Sequence, residues 1–189
     1  MEPGWGANIG SSPQRRMGLP GPGRLAGMPD ADQGAVTISI ATREDFDELL
    51  PLVRAYCDFY DVSPSDRDLL ALSEALVRDP QRDGMQLLAR DADGRAVGFA
   101  TLYWTWSTTR AARIGVMNDL FVAPEARGSG AAERLIETCV ERCREHGAAS
   151  LGWQTAPDNH RAQRLYDCVG GTREQWVDYY LPVDQPGGG

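Results

Sequence analysis

The stretch that most constrains the fold runs from residue 118 to residue 139 and reads NDLFVAPEARGSGAAERLIETC. It begins as an apolar run of β type, reaches a proline, passes through Arg-Gly-Ser-Gly and continues as a segment with helical periodicity. A strand that passes through a short turn into a helix is typical of proteins that pack helices against a sheet. The stretch therefore predicts a strand–turn–helix unit.

The chain from residue 36 onward continues this alternation of strand and helix patterns. Strand-type runs cover residues 36–41, 85–90, 95–106, 113–122, 150–155 and 175–181. Helices are predicted after a capping box at Thr42 and Asp45, from SPSDRD to Pro80, from the glycine turn to Gly147, and from Asp158 to Gly170. This order predicts an α/β sandwich: a mixed, mostly antiparallel sheet with helices on both faces.

Length and charge narrow the class of protein. A chain of 189 residues fits one domain with a real core. It has no apolar run near the roughly 20 residues that a bilayer span needs, and its N-terminus lacks the pattern of a secretory signal. We therefore expect a cytoplasmic protein with no membrane partner. The net charge of −8 argues against nucleic acid and suits either a cationic partner or solubility alone.

The two ends of the chain differ from its middle. Glycine and proline fill 13 of the first 34 positions, a density that opposes a packed core. Residues 1–34 are therefore predicted to be a disordered leader, residues 36–182 a single folded domain, and residues 183–189 a flexible tail.

The cysteines do not form a recognisable metal or disulfide framework. Cys57, Cys139, Cys143 and Cys168 include no C-x-x-C pair. Cys139, Cys143 and His146 could share a helix face, but no fourth ligand has the spacing that zinc requires. The sequence predicts no metal.

The glycine turn predicts an anion site. A helix N-terminus has unpaired N–H groups and a positive dipole end, and glycine lets the backbone come close to a phosphate. Arg127 adds a planar cation. A pyrophosphate cradle is one interpretation, and a flexible β–α turn is the other. The Walker loop is excluded because Gly-Lys-Ser/Thr is absent, and the dinucleotide fingerprint because its third glycine is absent.

Two motifs together resemble the GNAT superfamily of N-acetyltransferases. The first is Arg/Gln-x-x-Gly-x-Gly/Ala, matched by Arg127, Gly130 and Ala132 after LFVAP. The second is N-x-x-A-x-x-L-Y-x-x-x-G, matched within TAPDNHRAQRLYDCVGG by Asn159, Ala162, Leu165, Tyr166 and Gly170. The resemblance covers about residues 36 to 182.

This resemblance implies a GNAT-like fold whose central parallel strands, 112–123 and 149–155, splay apart to hold acetyl-CoA. The implied cofactor contacts are the backbone of Leu120, Phe121 and Val122 for the acetyl and pantetheine arm, the amides of Gly128, Ser129, Gly130, Ala131 and Ala132 with Arg127 for the pyrophosphate, and Asn159 for the pantetheine. Tyr166 would reach the sulfur.

Acetyl transfer to an amine requires an acid for the leaving thiolate and a base for the amine. Tyrosine is protonated at pH 7, so Tyr166 is the candidate acid; its alternative role is a core aromatic. Asp119 is the candidate base because it is the one carboxylate in RIGVMNDLFV. Strand alternation places Asp119 opposite Asn118 and Leu120, so a structural role is the alternative. Polyamine-type relatives often have a glutamate at the position of Asn118.

Clues to the acceptor are fewer. Asp58, Asp61, Asp66 and Asp68 surround the link between the first two helices, and Trp104 and Trp106 could form a wall or belong to the core. Tyr60, Asp61 and Trp104 are the predicted substrate contacts. Aromatic and acidic groups suit a cation, so a small primary amine or polyamine is the first hypothesis. Peptide amines, aminoglycosides and a regulatory acyl-CoA-binding module without turnover are the alternatives. A homodimer is left open.

Overall fold

The computed structural model describes residues 36–183. The predicted leader, and the predicted tail after Val183, lie outside these residues. The strands are β1 (Thr37–Ile40), β2 (Gly84–Arg90), β3 (Ala96–Ser107), β4 (Ala112–Val122) and β5 (Leu151–Gly152). The helices are α1 (Phe46–Phe59), α2 (Asp66–Arg78), α3 (Ala131–Glu145) and α4 (His160–Cys168).

The described strands form one mixed sheet in the order β1-β2-β3-β4-β5. The first three pairings are antiparallel, and β4 pairs with β5 in parallel. The parallel pairing extends over two residue pairs only, Gly115 with Leu151 and Val116 with Gly152. Beyond these pairs the two strands separate, which confirms the predicted splay.

Each face of the sheet has its own apolar core. On one face, α3 buries Leu135, Ile136 and Cys139 against alternate residues of β2, β3 and β4, with α4 packed alongside. On the other face, α1 buries Leu49 and Leu52 against the strands. Helices therefore cover both faces, as the sequence predicts for an α/β sandwich.

Short-range signals set the ends of most elements. The capping box at Thr42 is present, and the Thr42 amide donates to Asp45 Oδ2 at 2.7 Å. The β2–β3 hairpin turns at Asp91–Gly94, where Asp91 Oδ1 accepts from the Arg95 amide at 2.9 Å. The predicted cap of α4 is wrong by one residue. Asn159 caps this helix by accepting from the Ala162 amide at 3.1 Å, and Asp158 lies in the preceding turn.

The last predicted strand, residues 175–181, is also wrong. No strand is assigned to residues 172–183, and Trp176, Tyr179 and Tyr180 are at least 80% exposed. One polar contact, from Gln154 Nε2 to Asp178 Oδ1 at 2.9 Å, links the segment to the residues after β5. A strand needs a neighbour with unpaired backbone groups as well as suitable side chains, and β5 is two residues long. Within the described chain, β5 is therefore an edge strand and not a central one.

The cysteines and His146 have structural surroundings. Cys139 and Cys143 are buried in the core, and burial raises the pKa of their thiols to about 12 and about 11. The His146 ring stacks on Trp104 at 4.0 Å, and its Nε2 lies 3.0 Å from Arg113 Nη2. Among residues 36–183, no group of three metal-ligating side chains comes together. No helix in this range is long and apolar enough to cross a bilayer.

Candidate active site

The candidate site is a cleft of about 370 Å³ that opens where β4 and β5 separate. One wall is the second half of β4, and the facing wall is the chain after β5, residues 153–155. The N-terminal ends of α3 and α4 and the C-terminal end of α1 complete the lining. The predicted site residues in this lining are Tyr60, Leu120, Phe121, Val122, Arg127, Gly128, Gly130, Ala131, Ala132, Asn159 and Tyr166.

The start of α3 gives the cleft a cluster of N–H donors. Gly128 and Gly130 have φ angles of 88° and 82°, in the left-handed region that favours glycine. Gly130 directly precedes the first helical residue, Ala131, whose side chain is buried. Among the described residues, the amides of Gly128, Gly130, Ala131 and Ala132 have no backbone acceptor. These amides and the helix dipole can hold an anion.

Ser129 and Arg127 do not belong to this cluster of unpaired amides. The Ser129 amide donates within the turn to the Ala126 carbonyl at 3.3 Å, so it is not one of the unpaired donors. Ser129 is absent from the lining, and its covered Oγ has no hydrogen-bond partner in the described part of the chain. Arg127 lines the cleft, and its exposed guanidinium makes one long contact, from Nε to the Val122 carbonyl at 3.5 Å.

A β-bulge on β4 changes which side chains share a face. Thr101 pairs with Asp119 and Leu102 pairs with Met117, so Asn118 is the extra residue of the bulge. The Asn118 and Asp119 side chains therefore lie together, with Asn118 Nδ2 2.9 Å from Asp119 Oδ1. The expectation that they lie on opposite faces is wrong, because period-two alternation fails at the bulge. Asn118 lines the cleft, whereas Asp119 is not part of the lining.

Tyr166 extends from α4 into the cleft beside Trp153, with ring centroids 5.3 Å apart in an edge-to-face arrangement. The residue is half-buried. Burial raises the pKa of its hydroxyl, and the neighbouring Tyr60 raises it further. A tyrosine in this position keeps its proton at neutral pH and can donate it.

The C-terminal end of α1 supplies an aromatic end of the cleft. Tyr56 and Tyr60 lie one helical turn apart, with ring centroids at 5.0 Å, and Phe59 packs edge-on against Tyr60. Phe59 and Tyr60 are 64% and 51% exposed. Tyr56 and Phe59 were not predicted as site residues. The signal for Tyr56 was available, because it lies four residues before Tyr60 on a predicted helix.

Two predicted substrate contacts lie elsewhere. Trp104 is buried in the core on the α3 face, where its ring stacks on His146 and its Nε1 donates to the Pro80 carbonyl at 2.8 Å. Asp61 is exposed in the turn after α1, with a φ angle of 54°, and is not part of the lining. Both are corrected as substrate contacts, because packing and turn geometry place them outside the cleft.

Two of the acidic residues around the α1–α2 link, Asp66 and Asp68, have structural partners. Arg54 holds the link by donating from Nε to Asp66 Oδ1 and from Nη1 to the Pro64 carbonyl, both at 2.6 Å. Ser65 caps α2 by accepting from the Asp68 amide at 3.2 Å, and its hydroxyl donates to Asp68 Oδ2. These contacts fix the end of α1 next to the cleft.

The wall that follows β5 lies in the predicted strand 149–155, but its residues were not named as site residues. Trp153, Gln154 and Thr155 line the cleft although they pair with no strand. Arg161 from α4 and Glu133 from α3 add charges at the edge of the lining. Which side chains after β5 line the cleft follows only from the three-dimensional separation of β4 and β5.

Comparison with known proteins gives this geometry a family. A family model described as "Acetyltransferase (GNAT) family" matches residues 49–170. The uncharacterized N-acetyltransferase YhfO of Bacillus subtilis (strain 168) is 31% identical over 149 residues, which cover 78% of this chain and 98% of that protein.

Solved structures share the same fold. The crystal structure of a probable acetyltransferase superposes with a TM-score of 0.69 at 30% identity, over 79% of this chain and 99% of that one. AAC(6')-Iy, solved in complex with the bisubstrate analogue CoA-S-monomethyl-acetylneamine, superposes with a TM-score of 0.68 at 20% identity, over 79% of this chain and 99% of that one. At this lower identity the similarity establishes the fold alone.

Proposed function

The chain belongs to the acetyltransferase (GNAT) family and is an N-acetyltransferase, and on this premise we propose that it moves an acetyl group from acetyl-CoA to the primary amine of a small cationic molecule. The observation that carries the proposal is a cleft with two chemically different ends. Unpaired amides and Arg127 lie at one end, and tyrosine hydroxyls and aromatic rings lie at the other.

The first end suits the phosphates of acetyl-CoA. Pyrophosphate oxygens require several donors at close range, and the amides of Gly128, Gly130, Ala131 and Ala132 are such donors. The separated β4 backbone at Leu120–Val122 borders the path toward Tyr166 and can pair with the amide groups of the pantetheine arm. Asn159 Nδ2 can donate to the same arm while Oδ1 caps α4. Bound here, acetyl-CoA supplies the acetyl group as a thioester.

The second end suits the reaction and the acceptor. Tyr166 retains its proton and is placed in the lining, so it can protonate the departing sulfur. The aromatic group formed by Tyr56, Phe59, Tyr60 and Trp153 presents ring faces and hydroxyl groups, which together attract an ammonium group. This combination favours a small amine or polyamine.

Other acceptors are distinguishable by experiment. AAC(6')-Iy, which shares the fold, binds an analogue that joins CoA to an aminoglycoside derivative, so aminoglycosides are a second acceptor class to test. Peptide amines form a third class. A module that binds acetyl-CoA without turnover is the non-enzymatic alternative, and it predicts binding with no release of CoA.

The test is an acceptor screen that measures the free thiol of CoA released from acetyl-CoA. The panel contains polyamines, amino acids, peptides with a free N-terminus, and aminoglycosides. We expect the fastest release with a small di- or polyamine, and slow release without any amine. The matched control is the fully N-methylated form of the best acceptor, which has the same charge but no transferable N–H. Fastest release with a peptide or an aminoglycoside would replace the proposed acceptor class.

A further inference from the structure

Asp119 is close to the reaction site but does not border the cleft. Its carboxylate accepts from Asn118 Nδ2 at the β4 bulge and is not part of the lining, which includes Tyr56, Asn118 and Tyr60. An acceptor amine in the cleft therefore meets tyrosine hydroxyls before it meets the only carboxylate of β4.

Tyr56 connects this carboxylate to the cleft. Its ring is held edge-on between Phe99 and Phe121, at centroid distances of 5.8 and 6.2 Å. The ring therefore lies over the part of the sheet where Thr101 pairs with Asp119, and its centroid is 5.0 Å from that of Tyr60. Burial raises the pKa of Tyr56, and the charge of Asp119 raises it further, so the group remains a neutral hydroxyl. A neutral hydroxyl can accept one proton as it donates another.

Tyr60 extends the same line toward Tyr166. It follows Tyr56 by one helical turn, at the end of α1, and is about half exposed. Proximity to Tyr60 is one cause of the raised pKa of Tyr166, second to burial. Tyr56, Tyr60 and Tyr166 thus share the lining of one cleft, and the rings of Tyr56 and Tyr60 are in contact.

We infer that Tyr56 and Tyr60 form a proton relay that joins the reacting amine to Asp119, and thereby make a carboxylate outside the cleft the base of the reaction. This inference rests on the proposed acetyl transfer and deepens it. It also explains how the site works with asparagine at position 118, because an asparagine side chain cannot accept the proton.

The relay balances the protons of one turnover. An ammonium acceptor first loses one proton to water at the exposed rim. The amine lone pair then forms the C–N bond, the C–S bond breaks with its electron pair on sulfur, and sulfur takes the proton of Tyr166. The nitrogen gives a proton to Tyr60 as Tyr60 gives its own to Tyr56 and Tyr56 gives its own to Asp119. Return of that proton from Asp119 through the same hydroxyls restores Tyr166.

The structure offers a matched control for this chain of hydroxyls. Tyr103 on β3 also faces Asp119, and burial followed by the Asp119 charge raises its pKa to about 12. Tyr103 is outside the cleft lining, so its hydroxyl cannot pass a proton to an amine in the cleft. Tyr56→Phe and Tyr103→Phe each remove one hydroxyl next to Asp119 and retain the ring.

The experiment measures kcat and KM with the best acceptor for wild type, Tyr56→Phe, Asp119→Asn, the double variant and Tyr103→Phe, all checked by thermal unfolding. We expect kcat to fall on the order of 10²-fold in Tyr56→Phe and in Asp119→Asn, with KM for acetyl-CoA unchanged. The double variant should be no slower than the slower single variant, because both substitutions break the same relay. Tyr103→Phe should keep wild-type kcat.

Each other outcome overturns the inference. Wild-type kcat in Tyr56→Phe, an equal loss in Tyr103→Phe, or independent multiplication of the two losses in the double variant would mean that these hydroxyls carry no proton. If Tyr56→Phe does not fold, the kcat of Asp119→Asn is the test. Wild-type kcat in that variant would overturn the inference. Transfer that survives these substitutions overturns the relay alone, whereas a wild type that transfers acetyl to no amine overturns the proposed function and the relay together.

Discussion

At the scale of single residues, the proposed chemistry depends on where Tyr166, Asp119 and Trp104 lie relative to the cleft. Tyr166 lies in the cleft as the motif implies, and its role as the acid stays a proposal. Asp119 was identified as a carboxylate, but the bulge that brings its side chain together with that of Asn118 is not revealed by a pattern of period two. Trp104 is a residue type that suits either a substrate wall or a core. Its packing on the α3 side of the sheet shows that it belongs to the core.

Tyr166→Phe tests the acid directly. The change removes one hydroxyl and retains the ring next to Trp153. If the hydroxyl protonates the thiolate, kcat should fall about 10²- to 10⁴-fold while KM for acetyl-CoA changes little. Steady-state release of CoA measures both constants. Tyr179→Phe, at a position that is 94% exposed and outside the cleft, is the control that should match wild type. Unchanged turnover in a folded Tyr166→Phe variant would remove the acid role.

At the scale of elements, caps and turns were predicted where the signal is local. The capping box at Thr42, the hairpin at Gly94 and the glycine turn before α3 depend on a few neighbouring residues, and all are present. The strands predicted over residues 150–155 and 175–181 depend on partners that are distant in sequence. Their side-chain pattern suits a strand, but most of their backbone finds no neighbour to pair with.

Gly128→Asn tests the turn before α3 as an anion site. Asparagine tolerates the left-handed region better than other residues with a Cβ, and open space surrounds this position in the protein alone. Its side chain would occupy the cleft wall and displace phosphate from the amides. We expect CoA to bind about 10- to 150-fold more weakly. This range corresponds to the loss of one hydrogen bond to a charged group, which contributes roughly 1.5–3 kcal/mol.

The hairpin glycine supplies a matched control for this change. Gly94 has a φ angle of 80° and equally open surroundings, but it is not part of the cleft lining. Gly94→Asn should therefore have a similar effect on stability and leave CoA affinity unchanged. Isothermal titration calorimetry with CoA compares the two variants. Equal affinity in both would show that the turn does not hold the pyrophosphate.

At the scale of the whole molecule, the function depends on the separation of two strands that begin as partners. The β4–β5 pairing, the N-terminus of α3 and the aromatic end of α1 come from distant parts of the chain and meet around one cleft. The sequence predicted the fold class from the order of its strand and helix patterns. It predicted the two motif-bearing turns from short local motifs. It placed Tyr60 at the site but not Tyr56 and Phe59, although Tyr56 lies one helical turn before Tyr60.

The most direct test of the central claim is the stoichiometry of the reaction with the best acceptor. Mass spectrometry counts the acetylated amine, and a thiol assay counts the CoA released in the same sample. A transferase that uses the cleft as proposed should form one acetylated amine for each CoA released. Release of CoA without acetylated amine, or binding of acetyl-CoA with neither product, would contradict the claim.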